Sequence, residues 1–292
     1  MNGFLCVLKP PGMTSSDVVV RVRHKLPRGT KVGHAGTLDP EAAGVLPLMV
    51  GKASRLFDYL VEKEKTYVAQ FKPGYATDTQ DAHGQIIAGS GEKVTCAQLE
   101  AVLPQFIGDI AQIPPMFSAL KRDGQKLCDL ARQGQTIEVK PRPTTVYDIR
   151  ILHENDDGSF LIEIRCGRGT YIRTLCHDIG NALGCMAHMG MLLRTKTGMF
   201  SLDEACTVEE IDAADDLEPL LTAMDMPLGH LPRIDVKPEA ERFVRNGNVL
   251  NRREMIGTAP DDTPVRLYLN DRFCGIGRIH DGALKFDAML LE

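Results

Sequence analysis

The sequence predicts an α+β protein with a large body and a small, mostly-β module at its C-terminal end. Three observations carry this. Short strand-like apolar runs alternate with segments whose apolar residues recur at helical spacing. The chain has 292 residues, 43% of them apolar, enough for one large core or a large one with a small companion. A boundary falls near Leu231-Pro232, beyond which the chain reads as one helix and then short strands. A fibrous or wholly disordered chain is excluded by the apolar fraction and by a charged content of only 25%.

Each element follows from its residues. Phe4–Leu8 is a short buried strand, broken by Lys9-Pro10-Pro11-Gly12-Met13. Thr14, Ser15 or Ser16 can cap a helix carrying Val18, Val19, Val22 and Leu26, with Arg21, Arg23, Lys25 and Arg28 on its polar side and end. Pro27 to Gly36 is predicted as loop, Val45–Val50 as an apolar run and Ala53–Val61 as helix. Lys65–Lys72 alternates Tyr67, Ala69 and Phe71 against Thr66, Val68 and Gln70, as a strand does. Residues 73–94 are turn-rich. Thr95 can cap a helix with Leu99, Val102, Leu103 and Phe106 in its stripe.

Residues 113–143 differ in texture. Pro114-Pro115 opens the segment, Pro141 and Pro143 close it, and a short helix, about Lys126–Arg132, lies between, flanked by basic residues. This reads as an excursion from the core of the kind that carries binding. Val146–Leu152 and Phe160–Cys166 are strands joined across an Asp-Asp-Gly turn. Tyr171–Leu183 is a helix and Met191–Leu193 a buried strand. Residues 201–232 form an acidic helical segment. The last residues give a helix at about Glu239–Asn246 and strands near Val265–Leu269, Arg272–Ile279 and Leu284–Phe286.

Net charge is −5, which argues against nucleic acid, but the distribution argues for it. Residues 1–70 carry ten Lys/Arg against six Asp/Glu, and residues 118–150 carry seven against four. Residues 201–240 carry two against eleven, so one acidic segment masks a mildly basic body. No apolar run reaches the ~18 residues of a membrane span. The first residues lack the basic and apolar regions of a signal peptide, so a cytoplasmic location is expected. The eight cysteines form no C-x₂₋₄-C knuckle and are expected as reduced thiols.

The most informative stretch is Gly33-His34-Ala35-Gly36-Thr37-Leu38-Asp39-Pro40. A proline after Asp39 holds the aspartate extended or in a turn, and the glycines let the backbone turn tightly against a ligand. This spacing fits a carboxylate presented on a stiff loop, and equally an Asx turn in which Asp39 bonds its own backbone. No set of His, Asp and Glu stands at metal-ligand spacing; Asp78 and Asp81 lack a third partner nearby. The phosphate-binding Gly-x₄-Gly-Lys pattern is absent. Cys166-Gly167-Arg168-Gly169-Thr170 follows a strand and opens a helix, which suits an RNA phosphate better than a dinucleotide. Tyr171 and Arg173 begin that helix. They fit a core aromatic and a surface charge, or an Arg173 reaching back to pair with a buried carboxylate such as Asp39.

Taken together, these motifs resemble the TruB family of tRNA pseudouridine synthases. The resemblance runs through Gly3-Phe4-Leu5, Lys9-Pro10-Pro11-Gly12-Met13-Thr14-Ser15, Lys31 through Pro40, and Ala43-Gly44-Val45-Leu46. It continues through Lys65-Thr66-Tyr67, Gly74, Thr77 to Asp81, and Gln112 to Lys121. Gly169 to Leu175, Asp178-Ile179-Gly180, Ala187-His188 and Leu192 to Thr195 complete it. Three positions depart from the family pattern. Leu8 stands where an aspartate is frequent, Gly167 replaces a serine, and Leu193 takes the place of an arginine, which removes one RNA contact.

The resemblance implies a pseudouridine synthase fold with a central mixed, mostly antiparallel sheet flanked by helices. It implies a catalytic domain over residues 1–232, an RNA-gripping insertion over about 114–143, and a short PUA-like RNA-binding module over 233–292. It implies isomerisation of uridine 55 in the tRNA T loop by base flipping. Asp39 is then the essential catalytic residue and Arg173 its partner. His34 holds the flipped loop open, Tyr67 stacks on the base, and Tyr171 and Leu192 line the pocket. The chemistry breaks the N1–C1′ bond and joins C5 to C1′ with no redox change, so no cofactor and no metal are expected. Attack of Asp39 at C1′, attack at C6 and a glycal route stay open, with Tyr67 a candidate to remove the C5 proton late. The expected partner is the tRNA T stem-loop, with no membrane, no obligatory protein partner and a monomeric state. The alternative is a tRNA-binding folding chaperone acting on the tRNA elbow independently of catalysis. The guide-RNA-dependent relatives of archaea and eukaryotes predict a fuller C-terminal domain than this tail.

Overall fold

The computed structural model describes residues 1–60, 64–118, 120–122, 124–135 and 137–291. Its first strand, β1 (Gly3–Lys9), is buried along nearly its whole length. The helix α1 (Ser15–His24) starts where expected. Thr14 Oγ1 accepts from the Asp17 N–H at 3.1 Å and Asp17 accepts from the Thr14 N–H at 2.8 Å. Such a reciprocal cap stabilises a helix by ~1 kcal/mol. Leu26 lies past the helix end, because a residue before proline is biased away from helical geometry.

The predicted loop 27–36 contains a short strand, β2 (Val32–His34), paired antiparallel with β3 (Ala43–Val50). Three residues with a glycine at their centre carry no alternation to read; the neighbouring strand supplies the order. The segment Gly51–Tyr59 is 3₁₀ rather than α, with no side-chain cap at its start. Val61, the predicted helix end, lies outside the described residues. The predicted strand is β4 (Lys65–Pro73), and Tyr67, Ala69 and Phe71 are its buried set. The turn-rich stretch folds as a hairpin of β5 (Tyr75–Thr77) and β6 (Ile86–Gly89). The helix α2 (Cys96–Val102) has the Thr95 cap, but Pro104 converts its last turn, Leu103–Phe106, to 3₁₀.

After β7 (Gly108–Gln112) comes the excursion. It holds a small hairpin, β8 (Lys121–Arg122) with β9 (Gln125–Lys126), and the helix α3 (Leu127–Arg132). The excursion ends earlier than predicted, since β10 (Arg142–Glu154) already includes Pro143. There β10 has only β7 beside it, pairing with β11 (Phe160–Cys166) from Val146 onward, and a proline is tolerated at such an edge. The helix α4 (Ile172–Leu183) leads into β12 (Ala187–Thr197), much longer than the predicted Met191–Leu193. The acidic segment is less helical than expected. After β13 (Phe200–Ser201) and β14 (Cys206–Thr207), only α5 (Val208–Ala213) is α-helical. Pro219 and Pro227 restrict the rest to 3₁₀ turns at Glu218–Leu220 and Met226–Leu228.

These strands make one ten-stranded sheet in the order β14-β1-β3-β12-β4-β11-β10-β7, with β2 on β3 and β13 on β12. It is mixed and mostly antiparallel; β1–β14 and β3–β12 are its parallel pairs. One core lies between β4, β10, β11, β12 and the helices α2 and α4, around Phe71, Phe160, Leu99 and Leu175. A second gathers α1 and α5 against β1 and β3.

A separate six-stranded sheet holds β15 (Arg233–Val236), β16 (Leu250–Asn251), β17 (Met255–Ile256), β18 (Pro264–Leu269), β19 (Arg272–His280) and β20 (Ala283–Met289). The predicted helix here is a 3₁₀ turn, Pro238–Ala240, followed by the short α6 (Glu241–Arg245). This sheet packs on the larger body. Ile276, Ala288 and Leu290 join Phe4, Leu56 and Phe200 in one cluster, and Lys52 donates to the Leu291 carbonyl at 2.7 Å.

Candidate active site

The loop Gly36–Pro40 follows β2 and meets α1, β3 and β12. Three buried groups fix it. The Ser15 hydroxyl donates to the Leu38 carbonyl at 3.1 Å and accepts from the Leu38 N–H at 2.9 Å. Lys9, 0% exposed, donates to the carbonyls of Pro10, Met13 and Pro40 at 2.6–2.8 Å. Arg194, also 0% exposed, donates to the carbonyls of Val45, Thr37 and Gly36 at 2.7, 3.3 and 3.2 Å. Buried cations that are spent on backbone carbonyls hold a loop whose own side chains do little of the work. Gly44 is required here. Its φ is +119°, and a Cβ would stand 2.2 Å from the Arg194 carbonyl oxygen.

The frame presents Asp39. Arg173 Nε lies 2.9 Å from Asp39 Oδ2, and Arg173 is the partner of this carboxylate among the described residues. The Asx-turn alternative has no counterpart. Arg173 is buried, and its remaining nitrogens are occupied. Nη1 donates to the Thr79 carbonyl at 3.1 Å and Nη2 to the Phe117 carbonyl at 2.9 Å, while Asp81 Oδ2 stands 3.7 Å from Nη1. The guanidinium therefore joins the Asp39 loop, the turn after β5 and the root of the excursion.

Above this pair opens a cavity of about 280 Å³, a small ligand site. Asp39, Tyr67, Tyr171, Arg173 and Leu192 all line it. Five of the six predicted site residues thus meet at one place. Burial pushes the Tyr67 phenol up, against the opposing pull of the Arg194 guanidinium, and burial pushes up Tyr171 as well. Both phenols stay protonated at neutral pH. His34 is separate. It ends β2 opposite Leu48, outside the walls of this cavity. Its Nδ1 is buried with no hydrogen-bond partner among the described residues, and burial, then Arg194, lowers its pKa.

Sequence reasoning passed over Lys9, Lys65, Asp81 and Arg194. Asp81 stood in view but was set aside for want of a partner; the partner lies on α4, far along the chain. Arg194 left one trace. It shares a strand face with Leu192, where a cation is buried among apolar residues. Among the described residues no group of three or more His, Cys, Asp or Glu could hold a metal ion. None of their helices is long and apolar enough to cross a membrane.

A small cavity with an arginine-bound carboxylate, two phenols and a leucine, on a mixed sheet, is an arrangement suited to a lone acid beside a planar ring. Family comparison agrees: residues 23–172 match the TruB family pseudouridylate synthase N-terminal domain, and residues 173–229 match the tRNA pseudouridylate synthase B C-terminal domain. The chain belongs to the TruB family of pseudouridine synthases. It is 44% identical over 283 residues to the tRNA pseudouridine synthase B of Alkaliphilus oremlandii (strain OhILAs), covering 96% of this chain and 94% of that one. It is 38% identical over 292 residues to the enzyme of that name from Clostridium novyi (strain NT), covering 100% of both. Among solved structures it resembles the archaeal box H/ACA sRNP Nop10-Cbf5 complex, with a TM-score of 0.72, 25% identity, and coverage of 99% of this chain and 86% of that one. An H/ACA RNP bound to a substrate RNA gives a TM-score of 0.73 at 24% identity, covering 99% of this chain and 85% of that one, a likeness of fold.

Proposed function

We propose that the protein isomerises uridine 55 in the T loop of tRNA to pseudouridine, with Asp39 as the catalytic residue. The observation that carries this is the Asp39–Arg173 pair at the floor of a small cavity walled by Tyr67, Tyr171 and Leu192. The arginine, 2.9 Å from the carboxylate, fixes its direction, which is what a nucleophile toward C1′ or C6, or a promoter of a glycal, requires. The target uridine leaves the stack to enter the cavity. Unstacking costs a few kcal/mol, and stacking on an aromatic such as Tyr67 returns ~1–3 kcal/mol. Tyr67 acts as a platform and hydrogen-bond donor. With its phenol raised by burial, it takes the C5 proton only while handing its own to solvent water. Tyr171 and Leu192 close the pocket around the ring. His34, outside the cavity and held neutral, faces the RNA loop from which the base has swung.

In this reading residues 1–232 are the catalytic domain, with the excursion gripping RNA, and residues 233–292 are a PUA-like module adding RNA contacts. The protein works as a cytoplasmic monomer on the T stem-loop without cofactor. The test is incubation of the protein with an unmodified tRNA transcript, without metal or nucleotide, and carbodiimide mapping of the T loop. A single signal at position 55 is expected. Asp39→Asn is expected to abolish it while tRNA affinity stays within about tenfold. Continued turnover by Asp39→Asn overturns the nucleophile assignment. Tight binding without product in the unaltered protein moves the chaperone reading to first place.

A further inference from the structure

Lys65 does not belong wholly to the catalytic cavity. It lies on β4 two residues before Tyr67, so the two side chains share a face. It lines the catalytic cavity and also a second, larger one of about 400 Å³. The second cavity is mostly apolar, with Phe57, Met199 and Met226 in its wall, and Arg168 beside Lys65 at its basic edge.

Two polar groups there have no partner among the described residues. No hydrogen bond or ion pair reaches the Lys65 amine. The Thr197 hydroxyl, in a residue 8% exposed, is buried without a hydrogen bond. The charges that act on Lys65 are cationic or weak. Burial depresses its pKa to about 8, the Arg194 and Arg168 guanidiniums add to this, and only the Cys166 thiol opposes. Arg194 is spent on three carbonyls and Arg173 on Asp39. Among the described residues no carboxylate forms an ion pair with Lys65, and a desolvated ammonium among guanidiniums is suited to an anion. Gly36 lines the same cavity beside Lys65, and its φ of +148° is one that side-chain-bearing residues rarely adopt.

We propose that the second cavity is a subsite for a nucleotide flanking the target uridine, with its base among Phe57, Met199 and Met226 and the joining phosphodiester on Lys65. This rests on the RNA-modifying reading of the adjoining cavity. The shared wall is the argument. A chain that places one base against Tyr67 and the next in the second cavity must pass its linking phosphate over Lys65. The Thr197 hydroxyl then meets a polar edge of the second base, and the apolar wall takes its face. Arg168 supplies further positive potential at the mouth.

The test measures affinity by fluorescence anisotropy with a T stem-loop RNA. The RNA is used intact, abasic at each position flanking the target, and with a neutral methylphosphonate at each flanking linkage. The expected result has three parts. One abasic flank weakens binding by about tenfold or more, and so does the methylphosphonate between it and the target. Lys65→Met weakens binding of intact RNA by about tenfold and is indifferent to that methylphosphonate. Lys65→Arg restores most of the affinity, and an unchanged melting temperature in Lys65→Met excludes a folding defect. The proposal is overturned if Lys65→Met loses a further tenfold with the methylphosphonate, or if both abasic RNAs bind as well as intact RNA. Affinity is read without turnover. Tight binding with no pseudouridine formed therefore removes the enzymatic reading and leaves the subsite standing.

Discussion

Arg173 Nη1 faces the Asp81 carboxylate at 3.7 Å, while Nε of the same guanidinium holds Asp39 at 2.9 Å. Asp81 is the less exposed of the two acids and stands outside the walls of the cavity that Asp39 and Arg173 line. Removing its charge frees the guanidinium to swing. Asp81→Asn is expected to lower kcat by about tenfold to hundredfold, as small misplacements of a catalytic group do, with RNA affinity changed less than threefold. Single-turnover kinetics on a tRNA transcript measure this. Full activity in Asp81→Asn means that the Thr79 and Phe117 carbonyls suffice to hold Arg173.

Arg173→Lys keeps the charge but loses the fork. One ammonium cannot serve Asp39 and the carbonyls of Thr79 and Phe117 together. The variant is expected to lose most activity and about 2–3 kcal/mol of stability, because a buried carbonyl is left unpaired and Asp39, being half exposed, is partly rescued by water. Urea denaturation beside the activity assay checks both. A stable, active Arg173→Lys protein contradicts the proposed division of labour.

His34 titrates below its ordinary value of 6.5, through burial first and Arg194 second. The unfolded imidazole takes up its proton near 6.5 and the folded one lower. Stability from this group is therefore complete above about pH 6.5 and falls as pH drops below it. NMR of the ring protons is expected to give a midpoint below 6.5. A midpoint at or above 6.5 rejects the buried neutral imidazole.

Lys65 gives the opposite limb. With its pKa held near 8, the amine is charged below pH 8 and neutral above it. Affinity for the T stem-loop is expected to decline as pH rises from 7 to 9.5 in the unaltered protein, and to stay nearly flat in Lys65→Arg. Parallel pH profiles in the two proteins eliminate Lys65 as the source.

What could be read in the sequence was what is local. The caps at Thr14 and Thr95 are legible because their partners, Asp17 and Gln98, are three residues away. The alternation of Tyr67, Ala69 and Phe71 announces a strand on its own. Asp39 was legible as a residue on a stiff loop, and its pairing with Arg173 only as one of two options, since the two are separated by most of the sheet. The props of the loop were invisible for a plainer reason. Lys9 and Arg194 bind backbone carbonyls, which every residue has, so no residue type marks the partner. β2 escaped notice because its three residues are ordered by β3 and not by their own pattern.

The Phe117 carbonyl and the Asp39 carboxylate hang from one guanidinium, and Phe117 is where the excursion leaves the body. In the proposed function, grip and chemistry therefore share a hinge pin. If the excursion closes on RNA as proposed, it pulls through Phe117 on the same bolt that aims the carboxylate. An RNA too short to fill that hand would then be felt as a slow reaction more than as a weak embrace, and discrimination among RNAs would be exercised at the turnover step.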